Sequence, residues 1–151
     1  MGDLGIQEIR ILPMDKKEAF QTEQEVRAFL SHGLAEQDGK YYYRKRGIVL
    51  HKGHTLILFQ YNNTIVGFGI IQNVVKQKYS EVLNGRTVEY HGYFQFIPES
   101  VHNIAQISWK ELKEIDKNIS AFSQAKQYID IEHRNQIYGL LFKKQIAYLL
   151  S

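Results

Sequence analysis

Cysteine is absent from the 151-residue sequence, so no disulfide framework and no cysteine-based zinc ribbon can hold it together. Proline occurs only twice, at Pro13 and Pro98, each after a short apolar run, where it reads as the end of a strand. The first residues, Met1-Gly2-Asp3-Leu4-Gly5, lack the basic stretch and apolar run of a secretion signal, and Gln7 stands where a myristoylation pattern wants Ser or Thr. Gly53 to Val75 carries no charge, yet Gln60, Asn62, Asn63 and Gln72 interrupt it, so it reads as two strands and not as a membrane span. The expectation is a soluble, cytoplasmic protein with no membrane partner.

The most informative absence is acidic. Between Asp38 and Glu81 there is no Asp or Glu at all. Residues 39–80 hold Lys40, Arg44, Lys45, Arg46, Lys52, Lys76 and Lys78, a charge of +7, against −4 for the rest and +3 for the whole chain. Such a field concerns partners and says nothing about fold. Length, 44% hydrophobic residues and 23% charged residues fit one globular domain over 1–151, too small for a propeller or an α/β barrel.

Thr22 and Glu25 form a capping-box pattern ahead of Val26, Phe29 and Leu30, which predicts a helix around 18–31. Short strands are expected at Gly47–His51 and Thr55–Tyr61. Asn62-Asn63 then turns the chain into a strand over Thr64–Val75, and Asn84-Gly85 turns it into Thr87–Ile97, where Tyr90, Gly92, Phe94 and Phe96 alternate. Ser108 with Glu111 caps a short helix at Trp109–Ile115. Asp130 caps a final one in which Ile137, Leu140, Leu141, Ile146, Leu149 and Leu150 recur at helical spacing. Helix, strands, helices without βαβ alternation give an α+β class, with a small antiparallel or mixed barrel and flanking helices.

Most patterns that suggest chemistry have plainer explanations. Gly67-Phe68-Gly69-Ile70-Ile71-Gln72 opens like a dinucleotide fingerprint, but Gln replaces the third glycine and no helix follows; glycines relieving a crowded strand explain it better. Ile65-Val66-Gly67-Phe68 suggests an acetyltransferase strand, yet no pyrophosphate loop opens a helix after it. His51, His54, His91 and His102 lack carboxylates to complete a metal site, no clustered carboxylates suit a nuclease, and no cofactor is implied. Asn118-Ile119-Ser120 is a glycosylation sequon without a secretion signal. What remains is Lys40-Tyr41-Tyr42-Tyr43-Arg44-Lys45-Arg46, where rings adjoin guanidinium groups. On an extended segment Tyr41 and Tyr43 share one face, Tyr42 and Arg44 the other. Either it is a basic turn whose tyrosines pack on the core, or it stacks bases and meets phosphates; the acid-free flanks favour a polyanion.

The run Gly47 to Tyr61 (GIVLHKGHTLILFQY), followed by Ile65-Val66-Gly67-Phe68-Gly69-Ile70-Ile71, resembles the core hairpin of the PUA-like superfamily, in its EVE and ASCH branches. There a Lys-Gly turn leads into an apolar strand ending in an aromatic. Phe122 to Ile129 is similar to a segment of the modified-base readers attached to HNH-type restriction endonucleases. The family often has an acidic residue after the Lys-Gly turn, where this chain has His54. The resemblance implies a non-catalytic nucleic-acid module that binds a modified base, such as modified cytosine in DNA or a base exposed in RNA, in a restriction or defence setting. Any cutting would belong to a nuclease domain or subunit. A reader's pocket needs ring faces and a few polar groups. The candidates are Tyr43, Tyr61 and Trp109 for stacking, Gln60, Ser123 and Gln124 for the base edge, and Arg44, Lys45, Arg46 and Lys52 for phosphates. Alternatives are a small ASCH-like enzyme acting on nucleosides or RNA through Lys52 or Glu89, and a protein–protein adaptor.

Overall fold

A computed structural model describes residues 5–14, 20–44, 54–119 and 128–151. Its centre is a hairpin. β3 (His54–Tyr61) and β4 (Thr64–Val75) pair antiparallel, with Tyr61 opposite Thr64. Asn62 and Asn63 both have positive φ, 53° and 65°, the backbone that a two-residue turn between right-twisted strands demands. β1 (Ile6–Pro13) runs parallel to β3, so the chain between them must cross over.

β3 is buried on both faces, which is why its sequence is a nearly continuous apolar run. Leu56 and Leu58 point to one side, with Ile9, Ile11, Ile65, Ile104 and Ile107. Ile57, Phe59 and Tyr61 point to the other, with Val66, Phe94 and Phe96. Each side has its own cover. Leu112 of α3 (Trp109–Ile115) and Ile137 and Leu141 of α4 (Arg134–Leu149) close the first; Val26, Leu30 and Leu34 close the second. Leu12, opposite Phe59, packs against this second cluster.

The first helical segment is α1 (Glu23–Ala28), a π turn at Phe29–Gly33 and α2 (Leu34–Glu36). It is shifted from the expected 18–31: Thr22 accepts a hydrogen bond from Glu25 N at 3.1 Å and fixes the start, and residues 15–19 lie outside the described set. Asp38 and Gly39, at φ 58° and 78°, end it, with Gly39 N donating to Leu34 O at 2.8 Å. The α3 capping box is present as expected. Asp130 caps a single 3-10 turn, Ile131–His133, that leads into α4.

The expected strand over Thr87–Ile97 divides in two. β5 (Tyr79–Leu83) and β6 (Arg86–Tyr90) form a separate two-stranded hairpin, whereas β7 (Gly92–Phe96) joins the main sheet between β2 (Lys40–Tyr43) and β4. The break has a steric cause. His91 N donates to Tyr43 O at 2.9 Å, and a Cβ at Gly92 would run into Val75 O and sit 2.7 Å from Tyr43 Oη.

The main sheet has the order β2-β7-β4-β3-β1-β9, with β9 (Tyr128–Ile129) antiparallel to β1 and β8 (His102–Ser108) on β4. β4 holds β3 along one edge and shares its other edge between β8 at Thr64–Phe68 and β7 at Ile71–Val75, with register irregularities near Gly67 and Asn73. The class is α+β, as expected. Among the described residues the strands form a mixed sheet in which no ladder joins β2 to β9, so no closed barrel is seen there. The strand expected at Gly47–His51 lies outside the described residues. No described helix is long and apolar enough to cross a membrane.

Candidate nucleic-acid interface

β2 sorts its tyrosines by alternation. Tyr43 is buried and stacks on Phe94 at 4.8 Å, and Tyr41 packs among Phe29, Phe59, Phe94 and Phe96. Tyr42 faces away from that core. Its cross-strand partner on β7 is Tyr93, and the two rings lie 5.4 Å apart.

The β5–β6 hairpin brings two more rings to the same place. Tyr79 and Tyr90 are opposite each other in its ladder. Tyr79 stacks on Tyr42 with centroids 4.5 Å apart, and Tyr90 lies 5.7 Å from Tyr42. This four-ring cluster docks the hairpin on the sheet, since a two-stranded hairpin alone is marginal in water. It is still open at one side, where Tyr79 is 40% exposed.

Charges surround the rings. Lys40 Nζ lies 5.3 Å from the centre of the Tyr93 ring, a cation–π distance. Arg44 follows β2 directly and is exposed, as are Lys76 and Lys78; Arg86 is exposed at the far, turn end of the hairpin. The acid within the cluster is Glu81, which accepts from Tyr90 Oη at 2.8 Å and Tyr79 Oη at 3.4 Å. Burial and the hydrogen bond to Glu81 push the Tyr90 phenol far above its ordinary range, with Arg44 opposing. The Glu81 charge, above all, raises Tyr79. Both phenols stay neutral at physiological pH, and both donate to Glu81. Glu89, opposite Ser80, is exposed on the hairpin.

The other sequence candidates lie elsewhere. Gln60 and Tyr61 are buried, and Tyr61 Oη donates to Phe20 O at 3.4 Å. Trp109 is half-buried against the α3–α4 core, with Lys113 Nζ 4.4 Å from its ring centre. Its indole Nε1 is buried with no hydrogen-bond partner among the described residues. Tyr61 pairs with Thr64, and Thr64 with Ser108, so this group sits at the start of β4. Tyr43 pairs with Gly92, and Tyr93 with Val75, so Tyr43 and Arg44 sit at its end. The described candidates thus fall at two ends of one twelve-residue strand and do not converge. Lys45, Arg46, Lys52, Ser123 and Gln124 lie outside the described residues. Among the described residues no three His, Asp or Glu side chains are grouped to hold a metal ion.

Sequence reasoning missed Tyr79, Tyr90 and Tyr93 as a group, because they come from three strands. Part of the signal was the β2 alternation itself, which places Tyr42 and Arg44 together on the outward face.

No protein-family model matches the sequence, and no curated protein matches it. Solved structures do. An ASCH protein from Zymomonas mobilis, in a tyrosine-to-phenylalanine variant, superposes with TM-score 0.53 at 12% identity, over 89% of this chain and 99% of that one. Its serine-to-alanine variant gives 0.50 at 13%, over 90% and 98%. The YTH domain of Zygosaccharomyces rouxii MRB1 protein, solved in complex with N6-methyladenosine RNA, superposes with TM-score 0.46 at 14% identity, over 89% of this chain and 86% of that one. At this level of identity the likeness is one of fold: the chain has the fold of the Zymomonas mobilis ASCH protein.

Proposed function

We propose that this chain is a nucleic-acid-binding module that takes an exposed base against its tyrosine cluster. The observation that carries the reading is the meeting of Tyr42, Tyr79, Tyr90 and Tyr93 between Lys40 and Arg44. Rings give sequence-tolerant stacking, and flanking cations meet phosphates. The acid-free stretch of sequence supplies Lys40, Arg44, Lys76 and Lys78, which outnumber Glu81 there.

The finer reading is a modified base, modified cytosine in DNA by the family resemblance, in a restriction setting with cutting left to another domain or subunit. An unpaired base reaches Tyr79 from single-stranded DNA or RNA, or after flipping from a duplex. The test is binding of labelled single strands and duplexes of DNA and RNA, with and without modified cytosine, across a salt series. Salt-dependent binding that is tighter for the modified strand is expected. No binding of any of them at low salt overturns the proposal.

A further inference from the structure

The β5–β6 ladder sets the place of Glu81. Tyr79 pairs with Tyr90 and Glu81 with Val88, so period-two alternation puts Glu81 on the same hairpin face as both rings, one layer nearer the turn. Its two oxygens are divided between the phenols: Oε1 accepts from Tyr90 at 2.8 Å and Oε2 from Tyr79 at 3.4 Å. The carboxylate therefore sits at the hydroxyl rim of Tyr79, the ring of the cluster that is 40% exposed. Glu81 itself is half-buried, so solvent and ligand still reach it.

A carboxylate only accepts hydrogen bonds and has about four positions for them, of which the two phenols take two. Among the described residues no Lys or Arg is paired with Glu81. A negative charge at this rim repels phosphate, and so weakens binding unless the ligand brings a donor to it. Docking the hairpin does not require the charge, since a neutral amide oxygen would accept from the same phenols. A base lying on the Tyr79 ring brings its polar edge to the rim of that ring. Cytosine, adenine and guanine each carry an exocyclic amine, and a glutamate accepts well from the amine of cytosine. Uracil and thymine have a carbonyl oxygen in place of that amine, and their one ring N–H lies between two such oxygens. Against Glu81 they set acceptor against acceptor.

We infer that Glu81 determines specificity at the proposed base site, which takes bases with an exocyclic amine and turns away those with a carbonyl in its place. The inference rests on the nucleic-acid reading above and adds to it the chemical class of base. It is compatible with a modified cytosine, because a substituent at C5 leaves the amine intact. It also separates 5-methylcytosine from thymine, which share the methyl group and differ in the amine.

The test is fluorescence anisotropy with single-stranded DNA tracts of one length at one salt concentration. The tracts carry deoxycytidine, 5-methyldeoxycytidine, deoxyuridine, thymidine or N4,N4-dimethyldeoxycytidine. The parent should bind the first two about tenfold more tightly than deoxyuridine and thymidine, as for one hydrogen bond to a charged group at a half-exposed site. The dimethyl tract keeps the ring and loses both amine hydrogens, so it should fall with the weak binders. Glu81→Gln keeps the shape and can turn its amide nitrogen toward a carbonyl, so the preference should nearly vanish. Glu99→Gln, exposed past the end of β7, removes the same charge and should keep the preference. Equal binding of deoxycytidine and deoxyuridine by the parent overturns the inference and leaves the nucleic-acid reading standing. So does a preference that Glu81→Gln retains, or a dimethyl tract bound as tightly as deoxycytidine. Binding of no tract at low salt overturns both.

Discussion

The Tyr42 ring lies against Tyr79 with centroids 4.5 Å apart, although the two residues come from a strand of the main sheet and from the separate β5–β6 hairpin. One contact thus docks the hairpin and shapes the proposed base-binding face. The two roles separate by substitution. Tyr79→Phe keeps the ring and loses only the 3.4 Å hydrogen bond to Glu81, so nucleic-acid binding is expected within a few-fold of the parent. Tyr79→Ala removes the exposed ring. At about 1–3 kcal/mol per stacked base, binding should weaken roughly 5- to 150-fold. Fluorescence anisotropy with a labelled oligonucleotide decides it, and equal loss in both variants would assign the effect to the hydroxyl and not to the ring.

Arg44 should act through charge. Its reversal in Arg44→Glu is expected to weaken binding of all sequences alike and to reduce the slope of log K against log salt by about 1. An unchanged slope would remove Arg44 from the phosphate contacts. The exposed Lys110 on α3, at the other end of β4 from Arg44, is the control; Lys110→Glu should leave that slope nearly as it was.

How far the sequence reaches depends on how local the deciding interaction is. Asn62-Asn63 and Asn84-Gly85 need only their own backbone, and the turns are where the sequence puts them. The same holds for Thr22 and Ser108 as helix caps. The break at His91 was not legible, because Val75 and Tyr43 cause it, distant in sequence and adjacent only once β7 inserts between β2 and β4. The site followed the same logic. Period-two alternation put Tyr42 opposite Tyr43, but only the ladders show that Tyr43 lies on Phe94 and that Trp109 sits at the far end of β4. Charge patterning pointed to Arg44 without its ring partners, which three separate strands supply.

Gly67 gives a direct test of the plain reading of the Gly-Phe-Gly run. A Cβ at this position would overlap Leu30 Cδ1 and lie 2.8 Å from His102 O, at the point where β4 is irregularly paired with β8. The leucine can rotate, but the backbone carbonyl cannot move without disturbing the strand ladder. Gly67→Ala should cost about 1–3 kcal/mol as an overpacked core does. Gly139→Ala, exposed on α4 with open space around the new methyl, should stabilise the chain by about 0.5–1 kcal/mol. Urea unfolding of both variants measures the contrast, and a neutral Gly67→Ala would contradict the close approach.

The α3 cap predicts behaviour in acid. Ser108 Oγ accepts from Glu111 N at 3.1 Å, while Glu111 accepts from Ser108 N at 3.0 Å and faces Lys144 at 2.9 Å. Partial burial alone would raise the Glu111 carboxyl, but Lys144 and the Ser108 hydrogen bonds together hold it below its ordinary 4.5. A lowered value in the folded state means stability that is whole above the unfolded value and is lost as pH falls through the folded one. Ser108→Ala should cost about 1 kcal/mol at neutral pH. Glu111→Gln should remove this group's share of the loss below pH 4.5. Thermal melts at stepped pH check both.

The alkaline limb belongs to the tyrosine cluster. Tyr79 and Tyr90 both titrate above their ordinary 10.0 in the folded protein, Tyr79 chiefly through the Glu81 charge and Tyr90 chiefly through burial. The folded state therefore keeps protons that the unfolded chain releases. Their contribution is whole below pH 10 and lost as pH rises through the folded values. Glu81→Gln should bring the Tyr79 titration back toward its ordinary value, since its main cause is gone. Tyr90 should stay raised, because burial remains. The near-ultraviolet circular dichroism of the stacked rings, followed against pH in parent and variant, separates the two phenols. Equal shifts of both in Glu81→Gln would mean that burial does not hold Tyr90, and that the hairpin sits more loosely on Tyr42 than the 4.5 Å stack indicates.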